Sequence, residues 1–181
     1  MKSRKSIRLP SYNYTSNGAY FITICTSNRE HSLGEIIGNE IKLSRIGEIV
    51  SEKWLDILNH HKHVDLGEFV VMPNHIHGII WIVGERLGVP ESIKKERICQ
   101  GKSQQIEIHE RKFGKPQSDS LSMIVNQFKG SVKRWSNKND HKWFKWQRNY
   151  YEHVIRNDNE LINISEYIKY NPQNWSKDEY R

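Results

Sequence analysis

The chain has 181 residues, with 28 Lys and Arg against 21 Asp and Glu, a formal net charge of +7. That length suits one domain with a substantial core, and a pI near 9.4 suits a polyanionic partner, of which nucleic acid is the commonest. The two cysteines, Cys25 and Cys99, are too few for a disulfide framework or a thiolate zinc site, the start MKSRKSIRLP lacks the apolar run of a secretion signal, and no stretch is apolar enough to span a membrane. A cytoplasmic, reducing compartment is the expectation.

Residues 1–18 are polar and basic, with Arg4, Lys5 and Arg8 near Tyr12 and Tyr14. Cations beside aromatics suit phosphates beside bases, and a solvated tail accounts for them equally well. Alternation in AYFITICT predicts a strand over Ala19–Thr26, and Gly38-Asn39 predicts the turn of a small hairpin within Ser32–Leu43. Leu43, Ile46, Val50, Trp54 and Leu58 recur at helical spacing, so a helix is expected from Ser44 to about Leu58. The NHHKH run, Asn59–His63, reads as the solvated end of that helix.

The most apolar stretch is Val70–Val83, VVMPNHIHGIIWIV. It predicts two antiparallel strands, Val64–Met72 and Ile76–Val83, joined through Pro73-Asn74. His75 and His77 stand at the start of the second with one residue between them. On an extended chain both imidazoles project the same way, an odd choice for packing and a natural one for holding a metal ion. The polar, basic stretch 84–119 reads as an insertion within a single domain covering residues 1–181.

Ser120–Asn137 is the strongest helix, with Leu121, Ile124, Val125, Phe128, Val132 and Trp135 on one stripe and Ser120 as its cap. Lys129, Lys133 and Arg134 lie off the stripe, on a face that is either solvated or turned to phosphates. A strand is expected within Trp146–Ile155. Asn157 and Glu160, at capping-box spacing, open a last helix over about Asp158–Tyr170, which stops before Pro172. Residues 173–181 read as a polar tail. The first six elements follow the βαββαβ order of a ferredoxin-like α+β fold: a four-stranded antiparallel sheet, two helices on one face and a C-terminal helix added.

Two histidines are too few ligands for a divalent ion, so other parts of the chain must complete the site. Asn163, Tyr167 and Asn171 share one face of the last helix, away from its Leu161/Ile164/Ile168 stripe. A tyrosine beside a metal-bound phosphate can serve as a nucleophile. Tyr167 is one of eight tyrosines, however, and packing is the commoner employment.

The segment MPNHIHGII resembles the histidine–hydrophobic–histidine (HUH) motif of single-tyrosine transposases. YYEHVIRNDNELINISEYIKYNP resembles the ending of the REP-associated tyrosine transposases within that family. SIRLPSYNYTSNGAYFITICTSNR resembles their opening, and FKGSVKRW their second helix. The resemblance covers most of the chain outside 84–119. It implies a ferredoxin-like fold and metal-dependent cleavage and rejoining of single-stranded DNA at hairpin-bearing sites, through a 5′-phosphotyrosine. It implies His75 and His77 as ligands of Mg²⁺ or Mn²⁺, Tyr167 as nucleophile, and Asn171 as a further ligand, a role that competes with helix capping. Arg4, Arg8, Tyr12, Lys129, Lys133, Arg134 and Arg156 are the candidate DNA contacts, and His153 is read as a support or DNA contact. Relatives occur as monomers or homodimers. Two other readings stay open: a non-catalytic single-stranded nucleic-acid-binding module of the same fold, and a metal-dependent hydrolase that activates water.

Overall fold

The computed structural model describes residues 17–83 and 120–181. Arg4, Arg8, Tyr12, Cys99 and the 84–119 stretch lie outside the described residues.

In chain order the elements are β1 (Gly18–Cys25), a hairpin of β2 (Gly34–Ile37) and β3 (Glu40–Leu43), α1 (Arg45–Leu55), a single turn α2 (Ile57–His60), β4 (Val64–Val71), β5 (His75–Ile82), α3 (Leu121–Lys138), β6 (Tyr151–Ile155), α4 (Asp158–Tyr170) and a 3₁₀ turn over Pro172–Lys177. The hairpin turns at Gly38, whose φ of +65° is open to glycine at no steric cost. Side chains cap the three long helices: Ser44 accepts from Gly47 N and, as the sequence suggests, Ser120 from Met123 N and Asn157 from Glu160 N. Among the described residues, no helix is long and apolar enough to cross a membrane.

β4, β5, β1 and β6 form one antiparallel sheet in that order, with β5 and β1 central. This is the ferredoxin-like arrangement, as expected from the order of elements. Because successive strand residues face opposite ways, each central strand serves two layers. Tyr20, Ile22 and Ile24 of β1, with Ile76, Ile80 and Ile82 of β5, pack against Ile46, Val50 and Trp54 of α1 and Leu121, Ile124, Val125, Phe128 and Val132 of α3. On the other face Ala19, Phe21, Ile79 and Ile155 meet Ile168 of α4, with Leu161 and Ile164 partly buried beside them. At Gly78 of β5 the indole of Trp54 lies where a Cβ would stand, so glycine lets α1 close onto the strand. Trp54 also stacks on Phe69, centroids 4.5 Å apart.

Two expectations need correction. The α1 stripe does not run to Leu58, which is 41% exposed. The helix breaks at Asp56, and the shifted phase buries Ile57 instead. The NHHKH run is not uniformly solvated either: His61 is buried, its ring edge-on to His63 with centroids 5.9 Å apart.

Candidate metal and tyrosine site

The site lies on the α4 side of the sheet, at the β5 start. The alternation that sends Ile76 and Gly78 toward α1 sends His75 and His77 the other way, and both rings are buried. Each has its Nδ1 engaged. His75 Nδ1 lies 2.8 Å from Asn74 Oδ1, and His77 Nδ1 2.8 Å from Thr23 Oγ1. An amide oxygen only accepts, so His75 carries its proton on Nδ1 and keeps its lone pair on Nε2. With its proton on Nδ1, donated to Thr23, the His77 ring would offer its Nε2 lone pair in the same way. Such outer partners are how ligand imidazoles are oriented. The two Nε2 atoms face one another at 3.0 Å.

Across the sheet, α4 brings the Tyr167 hydroxyl to 3.2 Å from His77 Nε2, although 90 residues separate them. Phe21 braces this meeting, stacked on His77 with centroids 5.2 Å apart and edge-on to Tyr167 at 6.2 Å. The start of α4 is tied to β6 by one carboxylate: Glu160 accepts from Arg156 N at 2.7 Å and lies 2.6 Å from His153 Nε2. The Arg156 backbone N–H, then the His153 contact, hold the Glu160 carboxyl below its usual range. His153 thus supports the tyrosine helix.

The residues after α4 are not a free polar tail. Asn74 Nδ2 donates to Tyr180 O at 2.7 Å and Arg29 Nη1 to Glu179 O at 2.9 Å. The Tyr180 ring lies 5.0 Å from that of His75, centroid to centroid. This return places Asp178 in the site with its side chain 2% exposed and Oδ2 3.9 Å from His75 Nε2. His75, His77 and Asp178 each bring a ligand atom within 4.8 Å of the others. Asn171 is also buried, and its side chain makes no capping bond at the 3₁₀ turn it precedes. Among the described residues, Asn171 Oδ1 and Asp178 Oδ2 are buried without a hydrogen-bond partner.

This donor set fits a divalent cation. Two imidazole lone pairs, a carboxylate oxygen and an amide oxygen are all electron donors. A cation among them would pair with the Asp178 carboxylate and with lone pairs that otherwise lack partners. The 3.0 Å Nε2 separation is also close to the edge of an octahedron with ligands at about 2.1 Å, roughly 3.0 Å. Burial pushes the His75 imidazole down to about 4, against a smaller upward pull from Asp178, and burial followed by the nearby His75 holds His77 well below its ordinary value. Both are neutral, and competent as ligands, at pH 7. Tyr167 is pushed up to about 12, chiefly by burial and next by Asp178, with a hydrogen bond from Asn171 opposing. It is a phenol at rest, although 43% of the residue is exposed. An open cleft of about 840 Å³ gives access, lined by Phe21, His77, Tyr151, Tyr167, Asn171 and the 174–180 return.

The other expected DNA contacts divide. Lys129 and Lys133 each spend two of their three N–H groups on backbone carbonyls. Lys129 donates to Gln147 O and Arg148 O at 2.6 and 3.1 Å, and Lys133 to Lys142 O and Phe144 O at 2.9 and 2.7 Å. They pin to α3 the chain that leads into β6, a use that carbonyl geometry dictates and charge alone does not reveal. Partial burial pushes Lys129 down to about 8. Arg134 and Arg156 are exposed. Asn163 is exposed on α4 and belongs to none of these contacts.

The chain is 39% identical over 179 residues to an uncharacterized protein of Haemophilus influenzae, covering 97% of this chain and 92% of that one. No protein-family model matches. Among solved structures, that of a REP-associated tyrosine transposase bound to a REP hairpin is similar with a TM-score of 0.58, at 18% identity, over 97% of this chain and 74% of that one. At that identity the likeness is one of fold.

Proposed function

The chain belongs to one family with the Haemophilus influenzae protein, and we propose that it is a metal-dependent single-tyrosine HUH transposase. In this reading it cleaves and rejoins single-stranded DNA beside a hairpin. The observation that carries it is the approach of Tyr167 to His77, 3.2 Å between hydroxyl and Nε2, beside a buried set of donors suited to a cation.

His75, His77, Asp178 and Asn171 would hold Mg²⁺ or Mn²⁺. When bound, the ion supplies Lewis acidity toward the scissile phosphate and toward the phenol. Thr23 and Asn74 keep the imidazoles turned to it. Phe21 and the Glu160 tie hold Tyr167 over the strand. The Tyr167 oxygen attacks phosphorus in line and loses its proton to solvent. The bond from phosphorus to the 3′ oxygen breaks, and that oxygen leaves as a 3′-OH after taking up a proton. The 5′ side stays on Tyr167 as a phosphodiester. A 3′-OH, from the same strand or another, reverses the step and releases the tyrosine. One phosphodiester is exchanged for another, so no nucleotide triphosphate is consumed. Arg134 and Arg156, exposed and cationic, serve as phosphate contacts.

The test incubates the full chain with a labelled single-stranded oligonucleotide bearing a hairpin, with Mn²⁺ and with chelator. A denaturation-resistant protein–DNA adduct is expected only with metal. Tyr167→Phe should remove the adduct while hairpin binding persists. An adduct that survives Tyr167→Phe overturns the nucleophile. Metal-dependent cleavage without an adduct points to activated water, and tight binding with no cleavage to a binding module.

A further inference from the structure

His77 on β5 pairs in register with Thr23 on β1, and Thr23 pairs with Tyr151 on β6. Paired residues project to the same side of a sheet. Ile155, four residues along β6 from Tyr151, packs in the α4-side core, which confirms that side for Tyr151. One row therefore crosses two strand spacings, about 10 Å from the His77 backbone to that of Tyr151.

The ends of the row differ in chemistry. At one end are the imidazole and the Tyr167 hydroxyl. At the other is a tyrosine ring, 44% exposed, on the wall of the same cleft. Phe21 touches both ends: besides His77 and Tyr167, its ring meets that of Tyr151 edge-on at 6.4 Å. Tyr151 is thus braced on one side and open on the other. A phosphate at the first end has its own or its neighbour's base within reach of the second. A base has a π-face to offer whatever its identity.

We infer that Tyr151 is a base-stacking residue that grips a nucleobase next to the scissile phosphate and so sets which phosphate reaches Tyr167. The inference rests on the proposed function for the identity of the strand in the cleft. It adds a register-setting contact that the metal and nucleophile do not provide.

The test uses full-length Tyr167→Phe protein, Mn²⁺ and hairpin oligonucleotides carrying 2-aminopurine at each position of the single-stranded flank in turn. Quenching is expected at one position beside the phosphate that the unsubstituted protein cuts. Adding Tyr151→Ala should abolish that quench and weaken binding by about 10- to 100-fold. Tyr151→Phe and Tyr151→Trp should keep both, because stacking needs the ring and not the hydroxyl. With Tyr167 intact, Tyr151→Ala should cut at more than one phosphate. Equal quench and affinity in Tyr151→Ala, or a Tyr151→Phe as impaired as the alanine variant, overturns the inference. The scan reads stacking whether or not the strand is cut. A Tyr151-dependent quench without any adduct in the unsubstituted protein fails the transposase reading and leaves Tyr151 as a stacking residue.

Discussion

The two faces of the sheet are built by opposite rules. The α1/α3 face is a broad apolar layer in which Trp54 closes onto Gly78 and stacks on Phe69. The α4 face has such a layer only around Ile79, Ile155 and Ile168, then gives way to His75, His77, Asn171 and Asp178. The first face is packed mainly by apolar side chains, and the second carries the candidate site beside an open cleft. At the candidate site two imidazoles, a carboxylate oxygen and an amide oxygen are buried, the two oxygens, Asp178 Oδ2 and Asn171 Oδ1, without a hydrogen-bond partner, and burying such groups costs stability unless something pairs with them.

The contrast breaks if a change on one face has the effect expected of the other. The largest effect is expected from His77→Ala. Loss of an outer partner of a metal ligand costs 10- to 100-fold, so loss of the ligand itself should lower Mn²⁺ affinity by at least about 100-fold, measured by calorimetry, and remove adduct formation. Its metal-free melting temperature should stay close to that of the parent. Gly78→Ala, one residue along but facing α1, should do the reverse: a loss of about 1–3 kcal/mol in denaturant unfolding from overpacking against Trp54, with Mn²⁺ affinity of the folded fraction within about twofold. A marked loss of metal affinity in Gly78→Ala would show that the faces are not independent.

A smaller effect is expected from pH. Burial holds His75 at about 4 and His77 well below its ordinary 6.5. As pH falls from 6.5 toward 4, the unfolded chain takes up protons at these rings that the native state refuses. The metal-free protein should therefore lose stability across that window. Melting temperature followed from pH 7.5 to 4.5 should fall less steeply when both histidines are replaced by Gln. An unchanged slope would remove the buried pair as its cause.

Much of this was legible in the chain itself. The strands, the caps at Ser120 and Asn157 and the α3 stripe follow from local periodicity and local hydrogen bonding, which sequence expresses directly. The placing of His75 with His77 followed from strand alternation. That of Tyr167 on a face distinct from the Leu161/Ile164/Ile168 stripe followed from helical spacing. Asp178 and Tyr180 were not legible, because their place depends on a non-periodic return held by Asn74 and Arg29, more than a hundred positions away. Asn74 was read only as a turn residue, though its amide orients His75; the sole signal was its adjacency to the pair. The carbonyl bonds of Lys129 and Lys133 were not legible either, because their partners belong to a segment brought near only by the fold.

The alternation along β5 has a consequence for how the protein can err. Because Ile76 and Gly78 interleave with His75 and His77, a slip of one residue in its pairing with β1 would trade them. The imidazoles would be driven against Trp54, and an isoleucine and a glycine would face Tyr167. Such a misregistered sheet would lose its packing and the grouping of the candidate site together. The hydrophobic layer on the far side thereby enforces the register that groups His75 with His77, and a molecule that has passed its folding check has both rings already aimed.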